Sequence, residues 1–497
     1  MTEKRLSSPL RGMVALGASG VADLRLQVEA LCVRVQSGQV SAGALPTAAF
    51  FRSPARLVVD FANGDDLRAK LPLALRATER EELRALANAQ GIYWGSGAAG
   101  ERLAFLFPGQ GGQYVGMGQE LAASVPAFAG TLAEADRAML PLLGFCLCKR
   151  FLAAAGGGSA VDDVERDFSD VSVVQPAIIA LSTAIARLLH NFGIRPDFVF
   201  GHSLGEYSGL VEVGALQYAQ ALQVVSLLHP AVREATVKCG GALAAVIAPE
   251  SEVIAALKTA RGRAVLANIN SEEQYVIGGP EDAVEQVREV LHARGFDTVG
   301  IPATHAFHTP ETRPIAEAMR TVLDCYDVRL PRVPVIAGTT GRPYPGNVRA
   351  LKALLAHQAA ATVQWARGIG YLYQQGVRTF VEVGPKRALK GFVDSLLGKH
   401  GDVQSLFTCH PKTGELVSFN RALCGLFAAG FGGAETSDEA ESLDECGGNS
   451  GTRERRVSET SGVLAGGSLA RRAWAGAVPG GGAIAPGEAW ERRKPCR

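Results

Sequence analysis

Three short apolar runs in this chain each end in a glycine turn, and longer helical stretches lie between them. Leu103-Ala104-Phe105-Leu106-Phe107 runs into Pro108-Gly109-Gln110-Gly111-Gly112. Phe198-Val199-Phe200 runs into Gly201-His202-Ser203-Leu204-Gly205, and Thr379-Phe380-Val381-Glu382-Val383 into Gly384-Pro385. Runs that are apolar at every position, not every second one, belong to strands covered on both faces. Such strands alternating with helices predict an α/β fold with a mainly parallel sheet. Ligands of open parallel sheets bind beyond the carboxyl ends of the strands. The three turns therefore mark where chemistry is to be sought.

The 497 residues divide by pattern into four regions. Residues 1–98 mix strand and helix: 21–35 repeats leucine and valine at helical spacing, 55–61 reads as a strand, Asn63-Gly64 as a turn and 65–86 as helix. This is the pattern of a small α+β module. Residues 99–400 carry the strand–helix alternation. Within them, about 240–302 reads as a β-α-β-β-α-β unit, a ferredoxin-like insertion. Residues 401–433 read as a short helix-bearing linker. From 434 to 497 an acidic patch gives way to Gly, Ser, Ala and Arg without periodicity, the composition of a disordered tail.

Charge and cysteine usage narrow the classes of partner. Lys and Arg number 50 against 49 Asp and Glu, which argues against a nucleic-acid binder. Nine cysteines at irregular spacing do not form a disulfide framework and point to a reducing, cytoplasmic setting. Cys146 and Cys148 have no second pair nearby, so thiols are expected there and no metal. The apolar uncharged stretch 171–186 is short for a bilayer span, and no membrane association is expected. The apolar run 13–18 is too short and glycine-broken for a secretory leader.

The strongest local signal is Gly201-His202-Ser203-Leu204-Gly205. A serine between glycines, after a buried strand and before a helix, has the pattern of a nucleophile elbow in a hydrolase-like sheet. The glycines permit a sharp turn that lifts the hydroxyl above the sheet edge, and the next helix aims backbone N–H groups at any developing oxyanion. From the pentapeptide alone a plain strand-to-helix turn remains the alternative. A serine hydroxyl needs a base. His202 is adjacent and should point away. In His305-Ala306-Phe307-His308-Thr309-Pro310, His308 is the better candidate, with a surface-loop histidine as the other reading. The turn at 108–111 lacks the Lys-Ser/Thr ending of a P-loop; it suits the second half of an oxyanion hole.

Together these segments resemble the malonyl-CoA:acyl-carrier-protein transacylase family, which includes the acyltransferase domains of polyketide and fatty-acid synthases. The resemblance rests on Phe107-Pro108-Gly109-Gln110-Gly111, Gly201 to Glu206, Asn268-Ile269-Asn270-Ser271, His305-Ala306-Phe307-His308, Val363-Gln364-Trp365 and Glu382-Val383-Gly384-Pro385, in family order across about 99–400. Residues 1–98 resemble the linker between ketosynthase and acyltransferase in type I synthases. Phe407 to Lys412 and Ser418-Phe419-Asn420 resemble the segment after the acyltransferase in polyunsaturated-fatty-acid-synthase-like enzymes. Lys386 stands where many relatives have glycine.

The resemblance implies ping-pong acyl transfer with no bound cofactor. Ser203 would attack an acyl-CoA, with His308 as base and the main-chain carbonyl of Gln364 orienting the imidazole. The N–H groups of Gln110 and Leu204 would form the oxyanion hole, and His202, Leu228, His305, Phe307 and Asn270 the substrate pocket. The acceptor would be the phosphopantetheine thiol of an acyl carrier protein, with ketosynthase or other synthase subunits as further partners. One position departs from the pattern. Malonyl-using relatives carry an arginine about 25 positions after the nucleophile, where this chain has Leu228, then His229 and Pro230. Arg233 lies ~140° further round a regular helix. Leu228 favours a neutral acyl group or an impaired enzyme, whereas His305-Ala306-Phe307-His308 matches malonyl-selective relatives. An acyl-thioester hydrolase on the same fold and a non-catalytic synthase remnant are the alternatives.

Overall fold

The computed structural model describes residues 6, 8–39, 43–96, 101–152, 168, 170–228, 241–301 and 305–432. Its N-terminal sheet has the order β1 (Gly12–Ala18), β2 (Ala55–Phe61), β3 (Ile92–Ser96), antiparallel throughout. The apolar run at 13–18, weighed above as a leader, is thus a strand hydrogen-bonded along its length to β2. Every residue of β2 is buried because both of its faces are covered. On one face, Leu57 and Val59 pack with Leu24, Val28 and Leu31 of helix Val21–Gln36 and with Leu67 and Leu71 of helix Gly64–Glu79. On the other, Val58 joins a core that includes Leu423 and Phe427 of helix Glu415–Ala429. Asn63, expected in a turn, caps the helix Gly64–Glu79: its side-chain oxygen accepts from the N–H of Asp65 and Asp66.

The chain then enters a second sheet with β4 (Arg102–Phe107) and β5 (Phe198–Gly201). It leaves for β6 (Ala242–Ile247), β7 (Val265–Ile269), β8 (Gln274–Gly279) and β9 (Asp297–Ile301), and returns with β10 (Val335–Ala337), β11 (Arg342–Pro343), β12 (Val377–Pro385) and β13 (Gln404–Cys409). The central sheet has the order β11-β10-β5-β4-β12-β13 and is parallel except at the β10–β11 hairpin. This is the expected mainly parallel sheet, with one difference. β13, expected in a linker, is an edge strand of the central sheet, and the helix after it covers β2 and β3. Its apolar run is short and follows a turn, so its pairing depends on β12, over twenty residues away.

Helix Val171–His190 lies behind the sheet and packs on β12. At 20 residues and a mean hydropathy of 1.6 it is long and apolar enough to cross a membrane, contrary to the expectation from its uncharged stretch alone. Its apolar window is 83% buried inside the protein, which identifies it as a core helix. On the opposite face, Trp365 stacks on Phe200 with ring centroids 4.2 Å apart.

The excursion between β5 and β10 forms its own four-stranded antiparallel sheet, order β7-β8-β6-β9, with helices Glu250–Leu257 and Glu281–Ala293 against it. Its outer edge is not free. The Val363 N–H donates to the Ala267 carbonyl and the Val363 carbonyl accepts from Ile269, both at 2.9 Å. The inserted sheet is thereby fastened to the strand-like segment before Trp365.

Candidate active site

Close backbone packing builds the turn after β5. A Cβ on Gly201 would lie 2.1 Å from the Gly205 carbonyl carbon, and one on Gly205 would lie 2.0 Å from the Phe107 carbonyl oxygen. The turn holds Ser203 at φ +55, in the left-handed region that a side chain disfavours. Gly205→Ala is therefore expected to destabilise the fold by about 3 kcal/mol or more, since the obstructing atoms are backbone. Urea unfolding of the purified variant measures this, and a change within 0.5 kcal/mol, roughly the size of a surface substitution, would contradict the packing argument.

The two glycine turns are packed together. The His202 N–H donates to the Phe107 carbonyl at 2.9 Å, and a Cβ on Gly109 would meet the His202 carbonyl at 2.6 Å and the Ser203 Cβ at 3.5 Å. The Gly109–Gln110 backbone thus lies directly beside Ser203, as a two-sided oxyanion site requires.

His308 arrives from the opposite side, from the segment after β9. Its Nε2 is 2.7 Å from the Ser203 Oγ. Its Nδ1 is 2.8 Å from the Gln358 carbonyl and 3.2 Å from that of Ala361. Carbonyls only accept, so Nδ1 carries the proton and Nε2 presents its lone pair to the serine. Burial lowers the imidazole pKa to about 4, with the His202 ring adding to the effect. His308 also has a positive φ, +66, and its own N–H is fixed by the Ala359 carbonyl.

The orienting carbonyl is not that of Gln364. The Gln364 carbonyl accepts from the Gly368 N–H at 3.0 Å, opening helix Trp365–Gln374, and its N–H donates to Gly338 at 2.7 Å. Both of its backbone groups are committed to local structure, whereas the 3₁₀ turn at Gln358–Ala360 turns carbonyls toward His308. Gln358 was missed because a main-chain carbonyl leaves no mark in the side-chain sequence.

Ser203 and His308 open on a cavity of about 490 Å³. Gln110, Leu204, His202, Leu228 and Phe307 line it, as expected. Asn270 and His305 do not. The Asn270 Oδ1 lies 2.9 Å from the His202 Nε2 and holds that ring from behind, while His305 is buried against Phe307 with ring centroids 5.3 Å apart. Asn268, two residues earlier and still within β7, does reach the wall, whereas Asn270 lies just past the end of that strand. The far end is apolar: Val225, Leu228, Leu243, Val276, Ile301 and Met319. Leu228, 3% exposed, ends helix Tyr218–Leu227. His229, Pro230 and Arg233 lie outside the described residues, as does 434–497. Among the described residues, Lys386 is the one lysine or arginine in the wall.

Glu206, just after the turn, faces away from the cavity. Tyr344 donates to its carboxyl group, as does the Gly338 N–H, and burial pushes its pKa up to about 8. It ties the helix after Ser203 to the end of β10.

Comparison with known proteins agrees with this geometry. A family model described as the acyl transferase domain matches residues 104–423. The malonyl CoA-acyl carrier protein transacylase of Bacillus subtilis (strain 168) is 32% identical over 324 residues, 64% of this chain and 96% of that protein. Polyketide synthase GfsA of Streptomyces halstedii is 33% identical over 326 residues, 64% of this chain but 4% of that much longer one. Among solved structures, the acyltransferase domain from the second module of the salinomycin polyketide synthase matches with a TM-score of 0.63 at 30% identity, over 84% of this chain and 93% of that one. A type II polyketide acyl-carrier protein in complex with its malonyl-transacylase matches at 0.57 and 28% identity, over 64% of this chain and 98% of that one. With its serine, imidazole and paired glycine turns so arranged, the chain belongs to the acyl transferase domain family.

Proposed function

We propose that this chain moves an acyl group, malonyl or a related one, from acyl-CoA through a Ser203 acyl-enzyme to the phosphopantetheine thiol of an acyl carrier protein, in polyketide or fatty acid biosynthesis. The observation that carries the reading is the relay from the Ser203 Oγ through His308 to the Gln358 carbonyl, at 2.7 and 2.8 Å, opening on one cavity. The Ser203 oxygen attacks the thioester carbonyl as His308 Nε2 takes its proton. The N–H groups of Gln110 and Leu204 receive the developing oxyanion. Collapse breaks the carbon–sulfur bond, and the proton held by His308 goes to the CoA sulfur. The carrier thiol then attacks the Ser203 ester, gives its proton to His308 and releases the serine by the same steps in reverse. No bound cofactor enters either half.

The flanking parts are read in the same frame. We take 1–98 as a ketosynthase–acyltransferase-type linker module and the inserted sheet as a ferredoxin-like subdomain, supported by its β-α-β-β-α-β order. The enzyme is read as cytoplasmic, with synthase subunits such as a ketosynthase as further partners. Intact-protein mass after brief incubation with malonyl-, methylmalonyl-, acetyl- and longer acyl-CoAs tests the reading. A Ser203-dependent adduct is expected, absent from Ser203→Ala. No adduct and no CoA release from any donor would overturn it.

The apolar far wall bears on the acyl group. The far wall around Leu228 is apolar, and among the described residues the one lysine or arginine of the wall, Lys386, stands at the end of β12 and not on that wall. Leu228→Arg is expected to raise the malonyl-to-acetyl ratio of kcat/KM by about 10–100-fold, the effect of one charge-assisted pair. An unchanged ratio would mean that the carboxylate is held elsewhere in the cavity.

A further inference from the structure

The mouth of the cavity carries positive charge that the steps above do not use. Lys386, at the end of β12, lines the cavity, and its Nζ donates to the Gly111 carbonyl at 3.1 Å. It is paired with Cys409, at the end of β13, through an isolated bridge. Next to it, the Arg387 guanidinium lies 5.8 Å from the Phe407 ring centre, and the His410 ring meets the same Phe407 edge-on with ring centroids 5.8 Å apart. The Lys412 N–H donates to the His410 Nδ1 at 3.3 Å. Arg387, Lys412 and Lys386 all bear on the His410 imidazole, which partial burial and these three cations hold below its usual range. Four cationic or protonatable groups thus gather where two adjacent strands end, beside the cavity. Among the described residues, Lys386, Arg387 and Lys412 form no ion pair with a carboxylate.

Two further facts mark this as a built feature. The chain carries only +1 overall, so the concentration is local. Lys386 also sits at φ +66, a conformation glycine adopts freely and a lysine does not. Strain of this kind persists where its surroundings impose it, and functional rims are a common place for it.

We propose that Lys386, Arg387 and Lys412 form a phosphate-binding rim, which takes the phosphate at the outer end of the pantetheine arm while its thioester reaches Ser203. The proposal rests on the acyl-transfer reading above. The chemistry fits both substrates of the reaction, since CoA carries a diphosphate at that end and a carrier protein carries a serine phosphodiester. Lysine and arginine are the side chains that hold such groups. The arm is extended, so its phosphate lies outside the pocket, on the rim and not in the apolar interior.

The test compares the wild type with the triple variant Lys386→Gln, Arg387→Gln, Lys412→Gln. The readout is the ratio of kcat/KM for acyl-CoA to that for the acyl-pantetheine thioester, which lacks phosphate. Taking the ratio cancels any disturbance of the Gly111 turn. The ratio is expected to fall about 10-fold or more, with KM carrying the change, and the wild-type KM for acyl-CoA is expected to rise with salt more steeply than the variant's. In a second arm, KM for the phosphopantetheinylated carrier is measured from pre-acylated enzyme. A drop in the first arm assigns the rim to the donor, and a rise of carrier KM in the second assigns it to the acceptor. An active variant with both arms unchanged overturns the rim and leaves acyl transfer intact. A wild type that neither donor acylates sinks the acyl-transfer reading itself. Lys386→Gly, which also relieves the positive φ, should fold at least as well and retain part of the effect; full wild-type ratios in both single and triple variants would again overturn the rim.

Discussion

Replacing His308 by alanine is expected to slow acylation of Ser203 by about 10²–10⁴-fold, the usual range for loss of a positioned base. The pH profile is the sharper observable. Only the neutral imidazole can accept the serine proton, and burial holds its pKa at about 4. Acylation by the wild type should therefore stay level from neutral pH into mild acid, and fall as pH drops through about 4. An exposed histidine would fail near pH 6.5, its ordinary value. Quenched-flow mass measurement of the acyl-enzyme across pH 3.5–8 separates the two, an acid limb centred near 6.5 being the contrary result. The sign for stability follows from the same depression. Between about 6.5 and 4 the unfolded chain binds a proton at this position that the folded chain refuses, so stability falls as pH falls through that window.

Loss of the Glu415 carboxylate is expected to cost about 3–5 kcal/mol of stability. This carboxylate opens helix Glu415–Ala429 and reaches across to residues far away in sequence. One oxygen accepts from the Tyr114 hydroxyl at 2.7 Å and the Gly118 N–H at 2.5 Å. The other accepts from the N–H of Glu120 at 3.0 Å and of Leu121 at 3.3 Å, at the start of helix Gln119–Ser124. Glu120 returns the arrangement, its carboxylate accepting from the N–H of Glu415 and Leu416 at 2.8 and 3.2 Å. Each carboxylate caps the other's helix. Glu415→Ala leaves several buried donors without partners, at ~1–3 kcal/mol each before relaxation. Urea denaturation is the measurement. Glu415→Gln, which keeps acceptor capacity, should lose less, and an equal loss in both variants would point to charge alone. Chains ending before residue 404 should not fold as soluble protein, because they also lose β13.

How much of this could be read from the sequence depended on distance along the chain. The turn around Ser203 and the β-α-β-β-α-β unit are local patterns, and their elements fall within a residue or two of where period and turn chemistry put them. Strand 55–61 was readable for the same reason. β1 was not, because its glycines and leucine give no alternation, and its partner β2 lies some forty residues on. β13 and the helix after it looked like a linker since their apolar faces find cover only on β12 and on the N-terminal sheet. Asp60 shows how tight that cover is. It is fully buried, accepting from the Asn420 amide at 2.8 Å and pairing with Arg11 at 3.1 Å and Arg421 at 3.4 Å.

The site divides along the same line. Ser203, Leu204, Gln110 and His308 belong to motifs whose residue types announce their chemistry. Gln358 acts through a carbonyl, so any residue at that position would serve and the sequence is silent. Asn270 and His305 belong to family-like motifs, yet one supports the His202 ring and the other packs on Phe307. A motif fixes which residues gather near a site; the local packing of each side chain decides which of them face it.

The fastening of the inserted sheet to Val363 has a practical meaning for anyone who would redesign the acyl pocket. The far wall is drawn partly from that sheet, through Leu243, Val276 and Ile301. The carbonyls that steady His308, on Gln358 and Ala361, lie on the same stretch of backbone that clips onto β7. Enlarging the pocket by shifting or grafting the insertion would tug on the histidine's support as well. Exchanging single wall side chains leaves that backbone where it is, so substrate range in this enzyme is better tuned residue by residue than by transplanting the subdomain.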